Sequence, residues 1–200
     1  MTAAPASVNY AVFALSELAG DDYTDLREAV QERLQAFECE RSPHLEEFAR
    51  VSVRKYEEHG HSRTYVLVCP DGEDAIDVPA FFTVGMTSLD LTAVSSNLRK
   101  RLNGNISMEH TGAYTIAELA RSDRYTSEQL PGSVILDEAK EIVRQSRELI
   151  AGRFLVVDAQ EAVFSALYEP AGFKRIGTAK SPQSMQDKAF ITACAKISDW

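Results

Sequence analysis

The sequence predicts an α/β fold in which strands and helices alternate along one domain, residues 1–200. Two hundred residues with 44% hydrophobic and 26% charged side chains can build one hydrophobic core. The stretch Ile116–Asp158 predicts a strand, a polar turn, a helix and a buried strand, which together form a βαβ unit. Neither an internal repeat nor a low-complexity linker interrupts the alternation, so no second domain is predicted.

The first third of the chain predicts one strand and two helices. Tyr10–Leu15 has a strand-like composition, and apolar residues at helical spacing predict a helix over about Thr24–Phe37. Ser42 is a predicted N-cap, followed by Pro43 in the first turn of a second helix that ends at Gly60.

Two strands and a helix are predicted next. Arg63–Cys69 leads through a turn to a strand over Ala80–Leu89, with Pro79 at its start, where a missing N–H is tolerated. The helix that follows has a predicted N-cap at Thr92 and an end at Gly104. Its apolar side comprises Leu91, Val94, Leu98 and Leu102.

The predicted βαβ unit begins with a strand over Ile116–Ala120 and a polar turn over Arg121–Leu130. Pro131 near the first helical position and Gly152 after the last one follow the usual asymmetry of helices. The predicted buried stripe of this helix is Ile135, Ala139, Ile142, Val143, Ser146 and Ile150. The apolar run Phe154–Val157 then predicts a strand covered on both faces. The turn before the helix is a natural anion site, because N–H groups and the positive end of the helix dipole point toward it.

The chain is predicted to end with a short helix over Gln160–Glu169 and two strands, Phe173–Thr178 and Ala189–Ile197.

Charge and cysteine usage predict a cytoplasmic protein. Thirty acidic against 21 basic residues give a net charge of −9, which disfavours a wide nucleic-acid surface. The odd number of widely spaced cysteines (Cys39, Cys69, Cys194) predicts unpaired thiols in a reducing compartment. Met1–Ser7 has no basic region before an apolar stretch, so no secretory signal is expected. No run approaches the roughly 20 apolar residues that span a bilayer, so no membrane partner is predicted.

Two segments carry recognisable patterns: Arg124-Tyr125-Thr126-Ser127-Glu128-Gln129-Leu130-Pro131-Gly132-Ser133 and Leu167-Tyr168-Glu169-Pro170-Ala171-Gly172-Phe173. The first resembles the acyl-CoA-binding motif of the GNAT superfamily of N-acetyltransferases, an Arg/Gln-x-x-Gly-x-Gly/Ala pattern that opens a long helix. The second resembles the Tyr-Glu-x-x-Gly-Phe signature of the same superfamily. In the first segment Ser127 and Gln129 stand at the two glycine positions, and one residue is inserted before Gly132.

The resemblance implies a single-domain, GNAT-like α/β fold with a mixed, centrally splayed β-sheet flanked by helices. It implies transfer of an acetyl group from acetyl-CoA to the amine of a small molecule or protein by direct attack, without a metal. The first two helices would help to form the acceptor pocket, and a homodimer is common among relatives. An alternative is a non-catalytic GNAT-fold binding or regulatory module, because both motif glycines are replaced. A third hypothesis is that the protein is a toxin that acetylates aminoacyl-tRNA. The net charge of −9 disfavours this hypothesis.

The predicted acyl-CoA site joins the strand end, the turn and the helix start. Backbone N–H groups would bind the pyrophosphate, with Arg121 and Arg124 offsetting the charge of Glu128. The predicted cofactor-binding residues are Leu119, Ala120, Arg121, Arg124, Ser127, Gln129, Leu130, Gly132 and Ser133. The alternative is an ordinary helix cap followed by a polar loop.

Tyr168 and Glu118 are the predicted catalytic residues. The resemblance places Tyr168 near the thioester sulfur, where a phenol with a pKa of about 10 can protonate the leaving thiolate. Glu118 lies mid-strand, where a carboxylate is costly unless it is paired or faces a cleft, so it is a candidate general base. The alternatives are a packing role for Tyr168 and an ion pair between Glu118 and an arginine or lysine.

Two further clusters are predicted to be solvated surface. His59 and His61 lie at a helix end without other ligand residues at metal-binding spacing, so no metal site is predicted. Arg99-Lys100-Arg101 predicts a solvated helix face, with recognition of an acidic partner or of the CoA 3′-phosphate as the alternative.

Overall fold

The computed structural model describes residues 8–73, 75–104, 106 and 108–199. Its strands are β1 (Ala11–Ala14), β2 (Arg63–Pro70), β3 (Ile76–Asp90), β4 (His110–Arg121), β5 (Phe154–Gln160), β6 (Lys174–Ala179) and β7 (Phe190–Lys196). Its helices are α1 (Thr24–Gln35), α2 (Pro43–Glu47), α3 (Val53–Glu58), α4 (Ser96–Asn103), α5 (Gly132–Leu149) and α6 (Glu161–Val163). A π-helical turn at Phe48–Ser52 joins α2 to α3, and another at Phe164–Tyr168 extends α6. The prediction about a secretory signal concerns Met1–Ser7, which lies outside the described residues.

The strands form one mixed sheet of seven in the order β1-β2-β3-β4-β5-β7-β6. β4 and β5 pair in parallel, from Tyr114 opposite Leu155 to Ile116 opposite Val157. β7 pairs antiparallel with both β5 and β6. Because α5 connects the two parallel strands, the predicted βαβ unit is confirmed.

The chain divides into two compact units, and the strands β3 and β4 each contribute to both. The first contains the residues up to Val84 together with Glu118–Ala139, and the second contains Gly85–Ala117 with the chain from Lys140 onward. The single domain expected from the sequence stays a prediction. No helix among the described residues is long and apolar enough to cross a membrane.

Aromatic side chains form the centre of the core in the first unit. The ring of Phe81 on β3 lies 5.1 Å from that of Phe37 in an edge-to-face arrangement. It also stacks at 6.1 Å against the ring of Phe48. Phe37 follows α1 and Phe48 follows α2, so these contacts fix both helical segments against the sheet.

The core of the second unit forms around α4, β5 and β7. Its buried members include Leu89, Leu91, Leu102, Phe154 and Cys194. Leu91 and Leu102 belong to the predicted apolar side of this segment, so the periodicity identified a real buried face.

Pro79 lies inside β3 rather than at its start, which corrects the sequence prediction. The strand already begins at Ile76, and its register with β2 shifts between Leu67 and Cys69. A bulge of this kind interrupts the hydrogen-bond ladder, so a residue without an N–H is tolerated there. The carbonyl oxygen of Pro79 accepts the N–H of Ser122 at 2.9 Å and thereby joins β3 to the end of β4.

Two predicted helix termini are also corrected. The N-cap of α4 is Ser95, whose hydroxyl accepts the N–H of Leu98 at 3.3 Å, whereas Thr92 bonds to Asp90 instead. Ile150 lies beyond the end of α5 and is exposed, so it does not belong to the buried stripe.

Gly152 is required by packing rather than by helix capping. Its φ is not positive, whereas Gly104 and Gly172 have left-handed backbones. A Cβ at position 152 would lie 2.3 Å from Cε2 of the Tyr114 ring. Glycine therefore lets the chain pass close to this ring on its way from α5 to β5.

Candidate functional site

Thr126 and Gln129 cap the turn between β4 and α5 reciprocally. The Thr126 N–H donates to Oε1 of Gln129 at 2.9 Å, and the Gln129 N–H donates to Oγ1 of Thr126 at 3.2 Å. This is a capping box, and its signal, Thr-x-x-Gln, is visible in the sequence. Two N–H groups in the predicted pyrophosphate turn therefore already have acceptors.

The rest of the turn leads into α5 through a buried leucine. The Leu130 N–H donates to the Thr126 carbonyl at 3.0 Å, and Arg121 Nη1 donates to the Leu130 carbonyl at 2.9 Å. Burial lowers the pKa of Arg121. Gly132 and Ser133 open α5, whose first N–H groups have no acceptor within the helix. Of the other predicted cofactor-binding residues, Ser127 is exposed, Leu119 half-buried and Ala120 buried.

Arg124 is paired with aspartates rather than free to meet a phosphate. Its Nη1 lies 3.0 Å from Oδ2 of Asp77, and its Nη2 lies 3.5 Å from Oδ2 of Asp71. Partial burial acts to lower the pKa of Arg124, but Asp77 and Asp71 outweigh this effect and raise the pKa. Arg33 shares Asp71 at 2.9 Å, so the pairs form a network.

Asp77 is the buried centre of this network, with 3% of its surface exposed. The Tyr125 hydroxyl donates to Oδ2 of Asp77 at 2.7 Å and lies 3.3 Å from Sγ of Cys69. Burial, with hydrogen bonds to Cys69 and Asp77, raises the pKa of Tyr125. The turn is therefore fastened to β3 through two consecutive side chains, Arg124 and Tyr125.

Asp123 fastens the same turn to the segment between α1 and α2. Its N–H donates to the Glu38 carbonyl at 2.9 Å, and its Oδ2 accepts the Glu40 N–H at 2.6 Å. Arg41 lies 3.0 Å from Oδ1 of Asp123. Contacts on both sides therefore hold the turn against β3 and against the segment between α1 and α2.

Glu118 pairs with a histidine, not with the arginine or lysine that the sequence alternative named. Nε2 of His44 lies 2.9 Å from Oε1 of Glu118, and the Glu118 N–H donates to Oγ1 of Thr83 at 2.9 Å. The side chain of Glu118 is 15% exposed and that of His44 is 35% exposed. The hydrogen bond to Glu118 raises the pKa of His44, although burial opposes it.

Tyr168 lies in the second unit at the end of the π-helical turn and is 5% exposed. Its ring meets Phe173 edge to face at 5.3 Å, and its carbonyl accepts the Phe173 N–H at 3.0 Å. Gly172 has a φ of 92°, a conformation that favours glycine. The Leu167–Phe173 signature therefore forms a packed corner that holds the tyrosine ring in place.

The remaining histidine pair caps a helix end. Nδ1 of His59 lies 2.8 Å from the Lys55 carbonyl, and its ring stacks on His61. Within the described part of the chain, no group of three or more His, Cys, Asp or Glu side chains is placed to hold a metal ion.

Comparison with known proteins identifies the fold. No family model matches the sequence, and no curated protein matches it. A bacterial toxin superposes with a TM-score of 0.69 at 15% identity, over 96% of this chain and 93% of that one. A mutant of KacT gives 0.68 at 13% identity, over 95% and 96%, and AtaTR bound with acetyl-CoA gives 0.64 at 17%, over 96% and 95%. AtaT and KacT have the GNAT fold. This chain has the GNAT fold.

The GNAT fold confirms the predicted architecture, a mixed sheet flanked by helices. The parallel β4–β5 pair and its connecting helix α5 are the part of the fold that the first motif predicted. At these identities the likeness establishes the fold and not the activity. A cytoplasmic location stays a prediction.

Proposed function

We propose that the chain is an N-acetyltransferase that moves an acetyl group from acetyl-CoA to an amine by direct attack. The observation that carries the proposal is the GNAT fold with a parallel βαβ unit whose turn opens the 18-residue helix α5. The structurally similar AtaTR is bound with acetyl-CoA, which supports the same donor here.

The proposed donor site uses the start of α5. N–H groups of Gly132 and Ser133, together with the helix dipole, would bind the pyrophosphate. Ser127 is exposed and adds a hydroxyl donor, while Arg121 and Leu130 shape the turn. In this scheme Tyr168 protonates the leaving thiolate, and a base on the acceptor side removes the proton of the amine.

A second candidate function is a non-catalytic binding or regulatory module. The capping box favours it, because the Gln129 side chain accepts the hydrogen bond of the Thr126 N–H in the turn that binds acyl-CoA in the family. The pairing of Arg124 with Asp77 also favours it, because that guanidinium is already neutralised.

Calorimetric titration with acetyl-CoA, followed by mass-spectrometric detection of acetylated amines, separates the two candidates. The acetyltransferase proposal expects saturable binding and turnover with at least one acceptor. Binding of acetyl-CoA without turnover of any amine in a broad panel, aminoacyl-tRNA included, would leave the binding module. Lack of binding at millimolar acetyl-CoA would remove the donor and the activity together.

We propose aminoacyl-tRNA as the acceptor class to test first. AtaT is known in complex with acetyl-methionyl-tRNA, and KacTA in complex with DNA, so negatively charged partners are compatible with this fold. In the second unit, Arg101, Lys174, Lys196 and Asp199 line a cavity of about 230 Å³, in which Lys196 Nζ lies 3.3 Å from Oδ2 of Asp199. Arg101 and Lys174 give this surface a local positive charge, although the net charge of the chain, which disfavours a wide nucleic-acid surface, is −9.

Charge reversal tests this acceptor. Arg101→Glu with Lys174→Glu should weaken methionyl-tRNA binding. The slope of log affinity against log salt concentration should also become shallower by about one for each lost phosphate contact. Lys188→Glu, an exposed lysine of the same unit, is the matched control. Equal affinities and salt slopes in both variants would argue against tRNA at this surface. AtaT is also known with the antitoxin AtaR, so a protein partner is the next class to test.

A further inference from the structure

We infer that His44 and Glu118 act as one proton-accepting pair for the amine acceptor, with His44 taking the proton and Glu118 holding the imidazole. The inference rests on the proposed function, since it assigns the base that amine attack needs. It goes beyond the predicted role of Glu118, because the group that meets the substrate is the histidine.

The geometry gives the two residues different positions. Glu118 is the covered partner at 15% exposure, and His44 is the accessible one at 35%. At 2.9 Å the carboxylate accepts the Nε2–H of the imidazole, which fixes the neutral tautomer with its lone pair on Nδ1. No described residue forms a hydrogen bond with Nδ1 of His44. In the proposal, this lone pair on the more exposed residue of the pair accepts the proton of the amine.

Both residues are held by regular structure. His44 lies in the first turn of α2, where the Ser42 hydroxyl accepts the Leu45 N–H at 3.4 Å. Glu118 lies on β4, with its backbone N–H bonded to Thr83 on β3. Groups placed on strands and helices hold a reactive geometry better than groups on loops.

The charges around His44 suit a base that works near neutral pH. The hydrogen bond to Glu118 raises its pKa, burial opposes this, and the charges of Glu118 and Glu47 add to the rise. Among the described residues, these two carboxylates are the charged groups that act on the imidazole, Glu118 from β4 and Glu47 from α2 itself. A base whose pKa lies close to the working pH is the most effective one.

The chemical step balances without a further reactant. The amine nitrogen attacks the thioester carbonyl, the C–N bond forms and the C–S bond breaks. The proton lost by the nitrogen passes to Nδ1 of His44, and the imidazolium is stabilised by the Glu118 carboxylate. The thiolate takes a proton from Tyr168, and solvent restores both residues.

The experiment compares pH–rate profiles of kcat/KM for His44→Gln, Glu118→Gln and wild type. Wild type should gain activity as pH rises through the raised pKa of His44. His44→Gln should lower the rate by about 10²- to 10⁴-fold. It should also abolish the rising limb of the profile, the part in which activity increases with pH. Glu118→Gln should keep the limb but move it to lower pH, because the group that raises the histidine pKa is gone. The exposed His110→Gln is the control and should change neither rate nor profile.

Each contrary outcome has a distinct meaning. A His44→Gln enzyme with wild-type rate and limb would reduce the pair to a structural ion pair while leaving the acetyltransferase proposal intact. Loss of the limb in Glu118→Gln but not in His44→Gln would make Glu118 the base.

Imidazole ¹⁵N NMR supplies a readout without turnover: neutral His44 should carry its proton on Nε2, and a proton on Nδ1 would overturn the inference. A wild-type protein without turnover would instead remove the proposed function. Circular dichroism confirms that each variant is folded.

Discussion

Tyr168 has two candidate roles, and a single substitution separates them. Tyr168→Phe keeps the ring that packs against Phe173 but removes the proton donor. If the phenol protonates the thiolate, turnover should fall by about 10²- to 10⁴-fold while the calorimetric affinity for acetyl-CoA stays constant. Tyr114→Phe, which removes another buried hydroxyl bonded to the Ile150 carbonyl, is the matched control. Unchanged turnover with a loss of stability alone would make Tyr168 a packing residue.

The pairing of His44 with Glu118 also predicts how stability depends on pH. Because the folded-state pKa of His44 is raised, its stabilisation is complete below the unfolded value of about 6.5 and is lost as pH rises through the folded value. His44→Gln should lower the free energy of unfolding at pH 5.5 by about 0.2–1 kcal/mol, the scale of partly exposed pairs. At pH 9 the contribution from the charged imidazole is absent, so the difference between the variant and wild type should be smaller. Urea denaturation at the two pH values provides the measurement, and an equal loss at both would contradict the ionic origin.

Asp77 is predicted to be the most sensitive charged residue of the turn network. Asp77→Ala leaves Tyr125 and Arg124 without their shared acceptor, and about 2–3 kcal/mol of the free energy of unfolding should be lost. Asp71→Ala removes a partner that is 39% exposed and should cost about 1 kcal/mol or less. Chemical denaturation of both variants tests the ranking. Equal losses would place the centre of the network elsewhere.

At the residue scale, the sequence could not predict which side chains meet. His44 and Glu118 are 74 positions apart, and neither has a neighbour that signals the other. The sequence predicts that Glu118 has a partner, because a mid-strand carboxylate is costly without one, but the identity of that partner depends on where α2 packs. The charge of Arg124 predicts a position near phosphate, whereas the fold pairs its guanidinium with Asp71 and Asp77.

At the element scale, placing glycine at the two motif positions, Ser127 and Gln129, should tighten acetyl-CoA binding. Ser127→Gly with Gln129→Gly frees the Thr126 N–H and lets the backbone approach the pyrophosphate. Release of about 1–2 kcal/mol of internal hydrogen bonding corresponds to about 5- to 30-fold higher affinity by calorimetry. The same change should cost about 1 kcal/mol of stability.

The control for this prediction is Gln145→Ala, which removes an exposed glutamine of α5 that bonds only to Glu141 among the described residues. It should leave the affinity unchanged. Weaker binding in the double glycine variant would indicate that the box preorganises the site instead of blocking it.

Most elements were predictable because their signals are local. The strands, α1, the segment from Pro43 and α5 follow from periodicity and from caps such as Ser42. The sequence of β3 alone places Pro79 at the strand start, because the bulge that accommodates it depends on the partner strand. The capping box has a local signal, Thr126-x-x-Gln129, but the resemblance to a phosphate-binding motif does not predict a box there.

At the scale of the whole molecule, the three free cysteines report whether the two units unfold together. Cys39 and Cys69 lie in the first unit and Cys194 in the second, and all three are buried. Burial raises the pKa of Cys39 and raises that of Cys194 to about 11, so both thiols should react slowly in the native protein. If the chain is a single cooperative domain, all three should become reactive at the same urea concentration. Alkylation followed by peptide mass spectrometry measures each site, and separate midpoints would contradict the single-domain prediction.

The Thr126–Gln129 box has a kinetic consequence for a phosphate ligand that also uses the N–H groups of Thr126 and Gln129. Both hydrogen bonds must open before the freed N–H groups can meet an incoming pyrophosphate. If opening precedes contact, the observed association rate will level off at high ligand concentration, at the rate of opening itself. The apparent affinity will then equal the intrinsic affinity multiplied by the small open fraction. Stopped-flow measurements would show whether opening of the box, rather than diffusion, limits the association rate of acetyl-CoA.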